Sequence, residues 1–499
     1  MILAVLIVYV AFVLAIGLFS HKLFRETGED YFVATRTIGP FVLFMSLFGT
    51  NMTAFAILGA SGEAYHTGIG VFALMASSSA LVIPTVFYFV GTRLWALGKR
   101  HGYLTQIQYF RARWNSDGLG LLLFVVLNLL LIPYLLIGVM GGGLTLTQIT
   151  DGQIPEWAGG FIVCSVVLIY VTYGGMRGTA WVNTFQTVVF MICGALAFFV
   201  ISQKMGGLTA AMSRVAEQHP ELLIRGQRIQ PLQLLTYMCI PLSVGMFPHL
   251  FNHWLTAQRA DSFRYTLMFY PVAIAIVWVP SVLLGVIGIL DFPDLKGAAA
   301  NSVLIRLIQL HAPAVLAGLL AAGVISSVMN SLDSQSLAIG SMFTQDIVRH
   351  YGFHDRMSER QQVLYGRVFV VAILVVAYIL SLVSNRSIFR LGIWCFTGFA
   401  ALLPVVVAAI YWRRSTKHGG FASVLSVIVL WIYFFLKSGR SEDYTVGDTG
   451  IMPVAVILTV SALTMIVVSM ITRAPEEATL KKFFHLVERR KDETTDKHR

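Results

Sequence analysis

Two adjacent serines lie within a long apolar run of the chain, residues 313–344. Ser326 and Ser327 share a helical face with Gly323, because residues three or four apart stack on one side of an α-helix. Two hydroxyls and the Gly323 carbonyl then offer three oxygens in one uncharged patch, the kind of ligand that hard cations such as Na⁺ prefer. Each hydroxyl could instead donate to a carbonyl one turn earlier, as serines in membrane helices commonly do. The pattern predicts a cation site, with such local bonding as the alternative.

An acidic residue follows on the same predicted helix. Asp333 comes two turns after Ser326, and an acid within a membrane span is a functional candidate by default. We therefore predict that Asp333 lies on the ion pathway. The alternatives are that its carboxylate is hydrated near the cytoplasmic mouth or paired with an Arg of a loop. Asp346 closes the same helix, where a structural role is the simpler expectation.

Two other apolar runs carry residues that interrupt helices. The run at residues 40–60 has small and polar residues at its centre: Ser46, Gly49, Thr50, Asn51 and Thr53. Unwound backbone at membrane depth is tolerated only where it lines a cavity, so this run predicts a broken helix; close packing through small residues is the alternative. In the run at 234–257, Pro248 breaks the helical hydrogen-bond ladder. His249 and His253 follow four residues apart, but no third ligand lies nearby in sequence, so we predict no metal site there.

The elements that position these residues are membrane helices. The chain has 499 residues, of which 57% are apolar and only 12% charged, and a soluble chain would have about 25% charged residues. This composition excludes a soluble enzyme, a disordered protein and a nucleic-acid-binding protein. Thirteen apolar runs approach the length of about 20 residues that spans a bilayer: 1–20, 40–60, 71–96, 119–147, 159–175, 181–203, 234–257, 266–290, 313–344, 366–384, 388–412, 419–437 and 451–472.

The basic residues predict the orientation of the spans. With thirteen spans, 26 of the 36 Lys and Arg residues fall on one side of the membrane and ten on the other. The positive-inside rule then places the N-terminus outside and the C-terminus in the cytoplasm. Anionic lipid headgroups account for the basic excess, so no nucleic acid is needed. We predict a membrane domain at 1–472 and a basic cytoplasmic tail at 473–499.

The segment Gly28-Glu29-Asp30-Tyr31-Phe32-Val33-Ala34-Thr35-Arg36 resembles a signature of the sodium:solute symporter family. The segment Tyr173–Gln186 is similar to the Gly-Gly…Trp-x-Asp-x-x-Gln hallmark of that family, with Asn183 where the family commonly has Asp. The resemblance extends to about residue 412. It implies an all-α, leucine-transporter-type fold whose two inverted five-helix repeats lie at about 40–203 and 234–412.

The resemblance also implies the site residues. The sodium ligands would be the backbone carbonyls of Gly49, Met52 and Gly323 with the hydroxyls of Ser326 and Ser327. In family members proposed to bind a second sodium, the Asp at this position is implicated in binding that ion. The resemblance therefore implies that a chain with Asn183 there uses a single coupling ion. Asn183 and Asp333 are candidates for a possible ion pathway. In the proline, pantothenate and monocarboxylate branches of the family, similar residues stand where this chain has the Pro248-His249 pair and Tyr134. Candidate substrate contacts are Asn51, Thr53, Tyr134, Pro248 and His249.

The function implied is sodium-coupled symport of a small organic solute by alternating access. The solute would be a monocarboxylate, an amino acid or a vitamin-like compound. Beyond sodium, the solute and the lipid bilayer, the sequence indicates no cofactor and no protein partner, and the cell membrane is the expected location. Two alternatives stay open: a transporter-like sensor or channel that acts through a partner, and a proton-coupled carrier of the same fold. No nucleophile elbow, phosphate loop or metal triad indicates an enzyme.

Overall fold

The computed structural model describes residues 1–20, 34–224, 229–352, 358–384, 387–439 and 444–484. Most of the family-like segment at 28–36 lies outside the described residues, as does the part of the predicted tail from residue 485 on. Within the described residues the chain is helical and forms no strand; one isolated bridge joins Ile38 to Ala257. The division into a membrane domain at 1–472 and a tail at 473–499 stays a prediction.

Seventeen helices carry the architecture. In chain order they are α1 Ile2–Ser20, α2 Pro40–Asn51, α3 Phe55–Thr67, α4 Gly70–His101, α5 Gln106–Trp114, α6 Asp117–Ile149, α7 Glu156–Lys204, α8 Leu208–Gln218, α9 Pro231–Gly245, α10 Pro248–Thr256, α11 Ser262–Leu290, α12 Val303–His311, α13 Ala314–Arg349, α14 Glu359–Val383, α15 Ile388–Tyr411, α16 Lys417–Ser438 and α17 Pro453–Ile471.

The described helices account for the thirteen predicted spans. Ten helices are long and apolar enough to cross a membrane, and two bent pairs, α2 with α3 and α9 with α10, bring the number to twelve. Helix α7 has 49 residues, which at 1.5 Å per residue is about 73 Å, more than twice the thickness of the hydrocarbon layer. Gly175 interrupts it with a non-helical backbone at φ 54° and ψ −158°. Counting its two halves separately gives thirteen spans.

Helix α13 lies at the centre of the bundle. In its most apolar window 83% of the residues are buried, against 22% for α1 and α14 and 28% for α17. Helix α13 packs against α7, α6 and α1, whereas the outer helices expose large apolar side chains where lipid would cover them. The polar residues of α13 are therefore shielded from lipid by the surrounding helices, as polar residues in membrane spans require.

The short helix α5 contacts the ends of two spans. The Thr105 side chain caps α5 by accepting a hydrogen bond from the Gln108 N–H. Arg111 pairs with the buried Asp346 carboxylate of α13 at 3.5 Å, and the Thr105 hydroxyl donates to the same carboxylate at 2.8 Å. Asp346 thus lies in a buried contact between α5 and the end of α13, and this contact supports a structural role.

Arg113 forms a second buried contact between α5 and a neighbouring span. Its Nε donates to the Ala409 carbonyl at 2.9 Å, and its Nη2 donates to the Trp412 carbonyl and the Ser415 hydroxyl at 3.0 Å each. The whole side chain is buried. These bonds hold α5 against the end of α15.

We expect Arg113→Ala to destabilise the protein by about 2–3 kcal/mol, because it leaves buried carbonyl groups without a charged donor. The thermal unfolding midpoint in detergent would fall by several degrees. Arg100→Ala is the matched control, since Arg100 is exposed at the end of α4. An equal loss of stability in both variants would show that the buried hydrogen bonds of Arg113 do not stabilise the protein.

Candidate functional site

The second span is broken at its centre. Helix α2 ends at Asn51, the Met52 backbone is non-helical (φ −92°, ψ 88°), and α3 starts at Phe55 with a bend of 58°. The N–H groups of Phe55 and Ala56, which a continuous helix would direct to the carbonyls of Asn51 and Met52, donate instead to Thr53 Oγ1 and the Thr53 carbonyl. The break therefore takes the carbonyls of Asn51 and Met52 out of the regular helical hydrogen-bond ladder.

The seventh span is broken in the corresponding place. Helix α9 ends at Gly245 and α10 starts at Pro248, with a bend of 54°. Phe247, between them, is extended (φ −65°, ψ 119°), as the residue before a proline prefers. The structure has the break predicted at Pro248, and Pro248 is the first residue of the second half-helix. The two breaks lie in the first helix of each predicted repeat.

A small cavity lies between the two breaks. Its lining combines aromatic, aliphatic and a few uncharged polar side chains: Asn51, Met52, Phe55, Ser79, Ile83, Tyr237, Ile240, Pro241, Ser243, Val244, Phe247, Trp278 and Phe396. The Phe396 ring stands edge-on to Phe55 at 4.9 Å and to Phe247 at 5.6 Å. Both half-helix breaks and an aromatic wall therefore face the same space.

Two predicted substrate contacts, Tyr134 and His249, pack against Phe247 and do not line the cavity themselves. The ring of His249 stacks on Phe247 at 5.0 Å, and Tyr134 packs against both at 5.2 and 5.5 Å. Both side chains are buried, and the hydroxyl of Tyr134 and both ring nitrogens of His249 have no hydrogen-bond partner among the described residues. Buried polar atoms without partners are costly, so Tyr134 and His249 stay candidates for contact with a polar ligand.

The other predicted substrate contacts differ in what they do. Asn51 lines the cavity, and its amide donates to the Tyr270 hydroxyl at 2.7 Å. The Thr53 hydroxyl accepts the Phe55 N–H, a local bond that starts α3. Pro248 is the first residue of α10. The structure thus places Asn51 at the cavity and gives Thr53 and Pro248 the task of shaping the breaks.

Asn330 and Thr187 are the polar side chains closest to Gly49. A Cβ on Gly49 would collide with the Thr187 hydroxyl and the Asn330 amide, so only glycine permits this approach of α2 to α7 and α13. The Asn330 amide donates to Thr187 Oγ1 at 3.0 Å, and the Thr187 hydroxyl donates to the Met45 carbonyl at 3.0 Å. Thr187, which lies on α7 one turn after Asn183, is not among the residues predicted from the sequence.

The two adjacent serines point to different neighbours. The Ser326 hydroxyl bonds to the Tyr9 hydroxyl of α1 and the Ala322 carbonyl, both at 2.7 Å. Helix α13 turns by about 100° per residue. Asn330 faces Gly49, whereas Val328 faces Gly141.

Ser327 and Ser331 project between these two directions. Their hydroxyls bond locally to the carbonyls of Val324 and Val328. Ser327 therefore lies on the side of α13 between the contacts with Gly49 and Gly141. Ser326 faces Tyr9, a contact that was not predicted from the sequence. Gly323 packs against Cys193 and Phe190 of α7.

Asp333 and Asn183 lie side by side. Asp333 is fully buried, and its carboxyl group accepts hydrogen bonds from the Tyr170 hydroxyl and the Ser334 hydroxyl, each at 2.9 Å. Ser334 also contacts Asn183 at 2.8 Å and the ring of His253 at 3.1 Å. The two predicted ion-pathway residues thus belong to one polar cluster of α7, α10 and α13. This contact cannot be predicted from sequence spacing, because it depends on the packing of α7 against α13.

The family model described as sodium:solute symporter family matches residues 31–426 of this chain. The chain belongs to the sodium:solute symporter family. It is a secondary active transporter of the sodium-coupled symporter type and not an enzyme.

Named relatives align over nearly the whole symporter. The osmoregulated proline transporter of Bacillus subtilis is 23% identical over 485 residues, covering 95% of this chain and 96% of that protein. The sodium/pantothenate symporter of Haemophilus influenzae is 23% identical, with 84% and 87% covered. The solved structure of a Na⁺-coupled sialic acid symporter superposes with a TM-score of 0.78 at 17% identity, covering 95% and 98%. This likeness confirms the fold predicted for the symporter.

Gly49→Ala should destabilise the symporter by about 1–3 kcal/mol, because the new methyl group forces α2 away from Thr187 and Asn330. Thermal unfolding in detergent measures the effect. Gly194→Ala is the matched control: Gly194 is also helical, and nothing lies within 4 Å of its Cβ position, so alanine should be neutral or slightly stabilising. Equal behaviour of the two variants would show that the close approach at Gly49 does not matter.

Proposed function

We propose that the symporter takes up a small organic carboxylate together with sodium across the cell membrane, with its N-terminus outside. The observation that carries this proposal is that both broken spans face one cavity with aromatic walls and no charged side chain in its lining. Such breaks present helix ends to a bound solute.

The chemistry of the cavity favours a carboxylate. The half-helices α3 and α10 start at the cavity, and the N-terminal end of a helix carries a partial positive charge that attracts anions. The unpartnered polar atoms of Tyr134 and His249 lie next to Phe247. The aromatic side chains Phe55, Phe247 and Phe396 supply an apolar surface for the rest of the solute. Proline and pantothenate, which the names of two relatives contain, are both carboxylates.

Sodium would bind beside the first break. The carbonyls of Gly49 and Met52 and the hydroxyl of Ser327 are the predicted ligands that the helix directions favour, with Ser331 and Asn330 next to them. Gly323 and Ser326 complete the set expected from the sequence, although the Ser326 hydroxyl is engaged by Tyr9. All these ligands are uncharged oxygens, so the empty site costs little in the membrane and the ion can leave.

Coupling follows from the shared break. Asn51 and Met52 line the solute cavity, and Met52 is also a proposed sodium ligand. An ion that orders this backbone therefore prepares the cavity for the solute. The negative-inside membrane potential contributes about 2.3 kcal/mol per 100 mV for each sodium charge that crosses.

The solute class can be tested with matched pairs of compounds. We expect L-proline and pantothenate, as probes, to be better ligands than L-prolinamide and pantothenol, which lack the carboxylate. The measurement is sodium-dependent uptake into proteoliposomes, supported by thermal stabilisation of the purified symporter. Uptake that accepts the compounds without a carboxylate equally would refute the carboxylate preference, and sodium-independent behaviour throughout would refute symport.

The sodium ligands can be tested with the serine pair. Ser327→Ala should raise the half-saturating sodium concentration about tenfold, equivalent to about 1.4 kcal/mol, because it removes a ligand at the break. Ser326→Ala should change it by less than about threefold, because that hydroxyl faces Tyr9. A sodium titration of thermal stability measures both variants. A larger effect at Ser326 would assign the ligand role to that serine instead.

A further inference from the structure

The last described segment of the chain packs against α5. Residues 477–484 are helical, and the two final side chains of this segment, Phe483 and Phe484, are each only 6% exposed. Phe483 packs against three rings at centroid distances of 5.6, 6.5 and 5.8 Å, those of His101, Tyr103 and Tyr109. Both phenylalanines are therefore buried against helices that lie more than 350 residues earlier in the chain.

Phe484 bridges α5 and the end of α15. The guanidinium of Arg113, on α5, lies over its ring at 5.0 Å, and that of Arg413, two residues after α15, lies over it at 5.7 Å. Cations are attracted to the face of an aromatic ring in this arrangement. Arg113 also donates to the Ala409 carbonyl of α15, so Phe484 covers the contact that joins the two helices.

Helix α5 joins parts of the chain that move relative to each other in a transport cycle. Arg111 pairs with Asp346 of α13, Arg113 binds the end of α15, and the Gln106 amide donates to the Met246 carbonyl at 3.2 Å, in the break between α9 and α10. Alternating access moves one group of helices against another around the central site. When the side of the membrane on which α5 lies opens, α5 therefore loses some of these contacts.

The docking of the segment is weaker than the burial of two phenylalanines alone would make it. The hydroxyls of Tyr103 and Tyr109, whose rings contact Phe483, have no hydrogen-bond partner among the described residues. A buried hydroxyl without a partner costs free energy, which is regained when water reaches it. Release of the segment would expose both hydroxyls, so this cost favours release and offsets part of the gain from docking.

We propose that residues 477–484 form a latch: docked on α5, they keep the predicted cytoplasmic side of the symporter closed, and they leave α5 when that side opens. A contact that exists only in the closed form shifts the equilibrium toward that form. Loss of the latch therefore raises the population of the open form. This effect depends neither on which solute is carried nor on which residues bind sodium, so it can be tested independently of the solute and sodium sites proposed above.

The experiment uses Met246→Cys as a reporter in the purified full-length symporter. Met246 is fully buried where Gln106 holds its backbone, so the rate of labelling by a water-soluble maleimide measures opening on this side, with the wild type as background. We expect Phe483→Ala with Phe484→Ala to raise this rate about tenfold, equivalent to about 1.4 kcal/mol. Lys481→Ala is the matched control, because its side chain is 69% exposed, and it should leave the rate unchanged. Equal rates in the double variant and the control would overturn the proposal.

A second reporter distinguishes opening from unfolding. Ser461→Cys places a thiol at a buried contact of α17 with Ser423 of α16, away from α5, and its labelling should not respond to the loss of the two phenylalanines. Equal acceleration at both reporters would show general unfolding and refute the latch. If the double alanine variant does not fold, Phe484→Leu replaces it: leucine keeps an apolar side chain but has no ring face for Arg113, and we expect labelling at Met246→Cys to rise about threefold. An unchanged rate in this variant would also count against the latch.

Tethering the segment tests whether it leaves α5. Ala112 of α5 and Thr479 of the segment line the same cavity, so Ala112→Cys with Thr479→Cys can be joined by a bis-maleimide. Backbone hydrogen exchange around Met246 should be at least about threefold slower in the joined form than in the same variant capped with a monofunctional maleimide, because exchange at this buried break requires local opening. Equal exchange in the two forms would show that this side opens with the segment still docked.

Discussion

Backbone polar groups inside a membrane protein must find hydrogen-bond partners without water, and this constraint determines the structure at the centre of the molecule. In a membrane, a carbonyl freed from its helix must meet protein or a cavity. The chain breaks two spans, at Met52 and at Phe247, and the breaks face each other across one cavity. The other spans enclose this pair, with α13 buried along most of its length. The proposed positions of the ion and the solute follow from where these two helices stop.

Close approach at small residues holds the broken helix in place. Gly49 lies against Thr187 and Asn330, and Gly141 of α6 lies against Ala54 just after the break. Larger residues at either position would push the broken span outward and separate its carbonyls from α13. The polar residues of α13 and the glycines of its neighbours are thus parts of one arrangement, which explains why small residues occupy mid-span positions that a simple membrane anchor would fill with leucine.

Sequence patterns predicted the helices better than the directions of their side chains. The apolar runs predicted thirteen spans, and Pro248 indicated the second break. Both features could be predicted because each depends only on residues that are close together in the sequence. The pairing of Ser326 with Tyr9 was not predictable, since Tyr9 lies more than 300 residues away in a helix with no polar pattern. The same holds for the contact of Asp333 with Asn183. Spacing shows which residues share a face of α13, but the neighbouring helices decide which part of that face meets the break.

A common electrostatic requirement links the sodium site and Asp333. A carrier must return through the membrane after releasing its ion, and a fixed charge in its interior makes that step costly. The proposed sodium ligands are neutral oxygens, so the empty cage meets this requirement without help. Asp333 receives hydrogen bonds from the Tyr170 and Ser334 hydroxyls, and such bonds lower the cost of a buried acid. The proposed sodium ligands and the acid therefore meet the same requirement in different ways, the first by carrying no charge and the second by being hydrogen-bonded inside the protein.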